Sequence, residues 1–432
     1  MNRFTSFVDE KLNEKYYYMK HESGLDIYVF PKKMTIKTAL LGVKFGSVYE
    51  EGATVDCEKK NFPSGIAHFL EHKLFSSADG VDACEILASF GADANAYTSN
   101  NKTVYMFSCT ENFDLALAEL INFVYNPYFT KQNVNSERDI ITQEIKMCLD
   151  SPYDYVSKNL LLALYGDCKL SNDVLGTEET IENISDKTLY ECYESFYRYS
   201  NMALVVCGDV DEESVLETVS KSLPPRNFND PPVLPDLSYG SAVSVPYIEN
   251  VMPVSQSVLE IGIKDKKPGD NVTERLERDV AMTILDEMLF SRAGELYNEL
   301  FESGLINESY SYGYSITRDA AFHSIYAESD LPELVFEKVK SYVKRVKQNG
   351  LNEKDFIRCK RVMMAEFIRD FDSVDDIANS LLNFVFEGSD IFEYCKIIDR
   401  VSFDCVKACL SDSFDDKCFA LSVIKNNFTE NQ

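Results

Sequence analysis

No stretch of this sequence approaches the ~18 consecutive apolar residues that a membrane-spanning helix needs. Runs such as TALLGVKFG and MALVVCGDV have the size of strands, and no membrane partner is expected. The opening residues, MNRFTSFVDEKLNEKYYYMK, lack both an apolar segment and a small-residue cleavage site, so no export signal is expected. Long basic runs are missing too. With 43 Lys and Arg against 71 Asp and Glu, a net charge of -28, the chain offers phosphate no cationic face, and a nucleic-acid partner is not expected. Such acidity suits a highly soluble surface, because net charge speaks to solubility more than to fold. Twelve cysteines are scattered without a single CxxC pair. They read as free, buried thiols in a reducing cytoplasm. Histidine is scarce: there are four.

What is present is a globular chain. Hydrophobic residues make up 45% and aromatics 12% of 432 residues, enough for two or more full cores. GLDIYVFP and TALLGVKFGSVYEE alternate or run apolar, as half-buried strands do. A helix is expected from about Ser64, its cap, to Phe75, and a second in GVDACEILASFG, ended by Gly91. ADANAYTSNNKTVYMFSC reads as a hairpin turning at SNNK. FDLALAELINFVYNP and NVNSERDIITQEIKMCLD read as helices stopped at Pro127 and before Pro152. Strands and helices in this order predict layers of the α+β class.

Seven prolines fall between Leu223 and Pro253, which predicts an extended linker. Beyond it the pattern of the first half returns. HFLEHKLFSS is answered by TILDEMLFSR, with Leu70, Leu74 and Phe75 recurring as Leu285, Leu289 and Phe290. FDLALAELINFV is answered by PELVFEKVKSYV, and FTKQNVNSERDIITQEI by LNEKDFIRCKRVMMAEF. The expected organisation is two homologous domains, 1–222 and 254–432, around a linker at 223–253. In the second copy His68 becomes Thr283 and His72 becomes Glu287. Loss from one copy fits a site used once per chain.

Two of the four histidines sit in AHFLEHKLF with Glu71 between them. On a helix, residues four apart are rotated by about 40°, so His68 and His72 point the same way, with Glu71 bordering the same volume. Two imidazoles at this spacing are a common grip for Zn²⁺, and a catalytic zinc site wants a third protein ligand. A carboxylate in SERDIITQEIKM is the candidate. Glu137 and Glu144 are two turns apart and share a face. Glu144 lies among Ile140, Ile141 and Ile145, which predicts partial burial and a cost that a metal would relieve. Glu137 could hold a ligand imidazole or the substrate from behind.

HFLEH is the inverted zinc-peptidase signature H-x-x-E-H. Together with GADANAYTS and PYFTKQNVNSERDIITQEI, it makes nearly the whole chain resemble the insulinase/pitrilysin family of zinc metallopeptidases. Its size, duplicated halves and linker are similar to short bacterial members that resemble mitochondrial processing peptidase subunits. The resemblance implies two homologous domains, each a mixed or antiparallel sheet packed against helices. It implies that His68, His72 and Glu144 bind zinc, that Glu71 is the general base, and that Glu137 supports catalysis. It also implies an edge strand at NAYTS, where Asn95 and Ala96 contact a peptide substrate that adds to the sheet. The implied activity is endopeptidase cleavage of peptides or unfolded polypeptides in a chamber between the two domains.

One departure stands out. Members that act alone carry an Arg and a Tyr seven residues apart around a GL, and LFESGLIN here offers Leu300 and Asn307. Arg292 and the tyrosines 310, 312 and 314 lie nearby at the wrong spacing. The expectation is therefore a heterodimer with a homologous subunit that carries the Arg/Tyr pair. The competing reading is a non-catalytic peptide-binding or assembly subunit of the same fold.

Overall fold

The computed structural model describes residues 3–225, 230–237 and 239–427. Strands apolar on both faces occupy the middle of a first sheet. MALVVCG is buried at every position and KTALLGV at all but its first, as central strands covered on both sides must be. In chain order the first half holds β1 (Thr5–Asp9), β2 (Glu14–Lys20), β3 (Asp26–Pro31), β4 (Lys37–Val43), the ribbon β5 (Glu51–Val55) and β6 (Glu58–Asn61), β7 (Ala92–Thr98), β8 (Thr103–Cys109) and β9 (Met202–Gly208). The seven-stranded sheet runs β1-β2-β3-β9-β4-β8-β7, with only β3 and β9 parallel. Its helices are α1 (Ile66–Leu74), α2 (Ala83–Ser89), α3 (Phe113–Tyr125), α4 (Lys131–Asp150), α5 (Pro152–Tyr165), α6 (Glu178–Glu182), α7 (Asp186–Phe196) and α8 (Glu212–Ser222).

The second half repeats the plan with β10 (Tyr247–Met252), β11 (Val258–Lys264), β12 (Ser311–Ile316), β13 (Ala321–Glu328) and β14 (Phe419–Asn426). The order β10-β14-β11-β13-β12 matches β3-β9-β4-β8-β7 strand for strand, down to one parallel pair, β10 with β14. Its helices are α9 (Val272–Phe290), α10 (Glu295–Glu302), α11 (Pro332–Asn349), α12 (Glu353–Asp370), α13 (Val374–Phe386), α14 (Ile391–Arg400) and α15 (Phe403–Asp412). The fold is the α+β arrangement of two sheets against helices that the sequence predicts.

Two features differ from expectation. The proline-rich stretch does not remain an open tether. Val233 exchanges both backbone hydrogen bonds with Thr54, and Tyr247–Met252 becomes β10. The alternation in YIENVM suits an edge strand, which the density of nearby prolines obscures. Residues 226–229 and 238 of that stretch lie outside the described residues.

The halves also interlock. α5 of the first half lies beneath the second sheet, where Leu160, Ala163 and Leu164 cluster with Ala420 and Val156 with Val258 and Ile424. α13 of the second half covers the first sheet, so that Leu40, Val205 and Cys207 share one core with Leu381 and Leu382. Glycines make both approaches possible. A Cβ on Gly42 of β4 would sit 2.9 Å from Leu382, and one on the matching Gly262 of β11 would sit 2.7 Å from Leu160. Overpacking a filled core costs about 1–3 kcal/mol. Gly42→Val is expected to lower stability by about that amount, read as a lower urea midpoint. An unchanged midpoint would mean that α13 can move off the sheet freely.

Candidate metal centre

α1 carries the histidine pair, and its start differs from the expected Ser64 cap. The residue before the helix is Gly65, at φ 90, and no side chain caps from the N-cap position. A Cβ there would lie 2.4 Å from the carbonyl oxygen of Leu175, so glycine is required twice over. The orphan amides are taken by a distant residue. Glu50 Oε1 accepts from the N–H groups of Gly65 and Ala67 at 3.0 and 3.1 Å. Burial pushes the Glu50 carboxyl up to about 8, although those two amides and the Ser64 hydroxyl pull the other way. The folded chain therefore holds a proton on Glu50 that the unfolded chain releases near its ordinary value of 4.5. Stability from this group is full at low pH, falls as pH rises through 4.5, and is lost above about 8. Glu50→Gln is expected to flatten that decline, by a few kcal/mol at most, in urea melts between about pH 5 and 8.

α1 is buried almost along its length, with His68 and Glu71 under 10% exposed. It packs against α4, and the histidines meet Glu144. His68 Nε2 lies 3.7 Å from Glu144 Oε1, and His72 Nε2 lies 3.6 Å from Glu144 Oε2. One donor atom from each of the three falls within 4.8 Å of the others. Two imidazole nitrogens and a carboxylate oxygen form a donor set suited to zinc. Burial and the neighbouring His72 lower His68 to about 4, so it stays neutral with a free lone pair.

His72 and Glu71 are held from behind. Glu137 Oε1 takes His72 Nδ1 at 3.0 Å, which turns Nε2 towards Glu144. The other Glu137 oxygen takes the buried Lys73 Nζ at 3.0 Å, and Lys73 also reaches Ser76 Oγ at 2.8 Å. Burial alone would raise Glu137, but His72 and Lys73 outweigh it and hold the carboxyl below its ordinary range. For His72 burial works downward, and Glu137, Glu71 and Glu144 together raise it. Thr98 Oγ1 donates to Glu71 Oε2 at 2.5 Å, Oε1 has no hydrogen-bond partner among the described residues, and burial raises Glu71.

All five acidic and histidine residues singled out from the sequence thus converge. Glu144 is partly buried, as its position among the isoleucines predicts. Ile141 and Ile145 are buried as expected, Ile140 is 55% exposed, and α1 packs on the same side of α4 as Glu144. Asn95 and Ala96 lie on β7, the edge of the first sheet, where Ala96 N–H is held by Asn95 Oδ1 at 2.8 Å. Lys73, Thr98 and Glu50 were not singled out. Thr98 lies in the quoted NAYTS, but its link to Glu71 exists only once β7 lies beside α1.

Residues 32–178 match the family described as Insulinase (Peptidase family M16), and residues 183–363 match Peptidase M16 inactive domain. A Bacillus subtilis (strain 168) protein named "Uncharacterized zinc protease YmfH" is 34% identical over 403 residues, 92% of this chain and 94% of that one. The chain belongs to the insulinase (M16) peptidase family. A second B. subtilis member of this family, named "Uncharacterized zinc protease YmxG", is 25% identical, covering 82% of this chain and 84% of its own. Among solved structures, an M16-like peptidase from Alicyclobacillus acidocaldarius superposes with a TM-score of 0.90 at 26% identity, covering 97% of this chain and all of that one. A Helicobacter pylori protease shares the fold, with a TM-score of 0.81 at 18% identity and coverage of 95% and 99%.

Within this M16 chain the second half holds no copy of the centre among the described residues. Leu300 is buried in the core, and Asn307 bonds Gln256 and Glu328. Arg292 donates to the carbonyls of Glu308 and Tyr310. Tyr310 donates to the Phe290 carbonyl, Tyr312 to Glu287 and Tyr314 to Asp265. Each candidate replacement for the Arg/Tyr pair already has a structural partner.

Proposed function

We propose that this chain is a zinc-dependent endopeptidase and that it works as the zinc-bearing subunit of a heterodimer. The observation that supports it most is the convergence of His68, His72 and Glu144 beside Glu71, with His72 braced by Glu137 and Glu71 by Thr98. When bound there, zinc would polarise a scissile carbonyl and acidify the attacking water. Glu71 Oε1 takes the water's proton and returns it to the leaving amine. Thr98 keeps the other oxygen occupied, which aims the base. Glu137 keeps the proton of His72 on Nδ1. A peptide lies along the open edge of β7 at Asn95 and Ala96, so extended or unfolded polypeptides are the substrate class.

The halves interlock, and the cavity of about 450 Å³ between them is lined by none of the five site residues. A second subunit would be one way to enclose the metal centre. Such a subunit would bring the donor for the tetrahedral oxyanion that Arg292 and the tyrosines, already engaged, do not offer. The same engagement favours a second reading, a peptide-binding subunit without catalysis. The test is cleavage of an unstructured peptide by the zinc-loaded chain, alone and with a homologous subunit bearing the Arg/Tyr pair. Weak cleavage alone and a large rise with the partner are expected. Full activity alone removes the partner from the proposal. No cleavage in either case leaves the binding reading.

A further inference from the structure

The cavity between the halves has chemistry of its own. Its volume of about 450 Å³ is in the range that holds small organic ligands. Tyr49, Leu170, Leu237, Phe322 and Phe386 give it apolar walls. Lys102 and Arg318 bring positive charge to it, and Asp319 and Glu387 negative charge. A smaller adjoining cavity shares Ile316, Thr317, Asn383 and Glu387 and adds Arg275.

These charges attract one another across the cavity, Glu387 with Lys102 and Arg275 and Asp319 with Arg318 and Arg275, without closing direct ion pairs among themselves. Lys102 Nζ donates to Asn383 Oδ1, Glu387 accepts from Asn101 at 3.4 Å, and Asp319 accepts from the Leu237 amide at 3.3 Å. Among the described residues none of Lys102, Asp319 and Glu387 lies within 4.0 Å of an opposite charge, although Arg318 pairs with Asp236. Burial leaves its mark on all three, raising Asp319 and Glu387 and lowering Lys102. Partly desolvated charges without a direct ionic partner are costly, and an occupant carrying both signs would relieve them.

We infer that this seam binds a short, unblocked peptide with apolar side chains. Its ammonium group pairs with Glu387 and Asp319, its carboxylate with Lys102 and Arg275, and its side chains with the apolar walls. The inference does not depend on the peptidase reading, because no residue of the metal centre takes part.

An occupant would press on the metal centre from two directions. The hairpin tip Ser99–Lys102 lines the cavity and directly follows Thr98, which holds Glu71. Tyr49 also lines it and precedes Glu50, which holds the start of α1. The two segments are latched together, Ser47 N–H to the Ser99 carbonyl and Val48 N–H to that of Asn100. A Cβ on Gly46 would meet the Ser99 carbonyl oxygen at 2.2 Å, so the latch closes only over glycine.

The test is calorimetric titration of the full chain with the dipeptide Leu-Leu, its N-acetyl form and its C-terminal amide. The same titrations are made on Glu387→Gln, Lys102→Met and His68→Ala. Saturable binding of Leu-Leu is expected in the wild type and in His68→Ala. Either blocked peptide, and either cavity variant, is expected to weaken it about tenfold or more, the usual effect of removing one charged hydrogen-bond partner. Amide hydrogen exchange in 98–103 should slow when Leu-Leu is bound. No saturable binding at millimolar concentration overturns the inference. Binding that is lost in His68→Ala but kept in Glu387→Gln also overturns it, by assigning the peptide to the metal centre. If a cavity variant fails to fold, the blocked peptides still decide the matter on the wild type.

Discussion

Glu71→Gln is expected to reduce peptide cleavage by about 10²–10⁴-fold, the usual contribution of a positioned general base. Zinc content should remain about one ion per chain, because Glu71 lies outside the donor set of His68, His72 and Glu144. The amide can accept from Thr98 Oγ1 as the carboxylate does, so the local geometry should survive. What it lacks is a basic oxygen to take a proton from water. The loss should therefore fall on kcat and not on KM. If Glu71→Gln cleaves peptides at the wild-type rate, Glu71 is not the base and the mechanism proposed above fails.

His68→Ala should act one step earlier, on metal uptake. A catalytic zinc site relies on three protein ligands, and two rarely retain the ion at neutral pH. Elemental analysis is expected to give about one zinc per wild-type chain and almost none for the variant. Added zinc should raise the wild-type melting temperature, because a ligand at a thousandfold excess over its Kd stabilises by about 4 kcal/mol. The variant should show no such rise. Apo stability should fall by the cavity that the buried ring leaves, while the loss of hydrogen bonding adds little, since Nδ1 has no protein partner. A wild-type chain that folds but takes up no zinc would sink the metallopeptidase proposal.

How much of this was legible in the sequence depends on how locally each feature is encoded. The histidine pair was legible because its geometry needs one helical turn, and Glu137 and Glu144 because theirs needs two. The duplication was legible because Leu285, Leu289 and Phe290 keep the spacing of Leu70, Leu74 and Phe75. Glu50 was not legible as the residue that starts α1. It meets the amides of Gly65 and Ala67 only after the ribbon β5–β6 has folded back. Lys73 reads as a solvated helix residue until Glu137 arrives from α4. The interlocking escaped for another reason. α5 and α13 are ordinary apolar-faced helices, and nothing within either says which sheet it will cover.

The crossed helices also bear on how the chain is made. Proteins leave the ribosome N-terminus first, and domains tend to fold in that order. Here the first sheet is fully translated once Gly208 has emerged, yet the helix that covers one of its faces ends at Phe386. For most of the second half's synthesis the nascent chain exposes Leu40, Val205 and Cys207, a surface to which chaperones could bind. A stop between Gly208 and α13 would leave a protein that already carries His68, His72 and Glu144 but cannot close its first core.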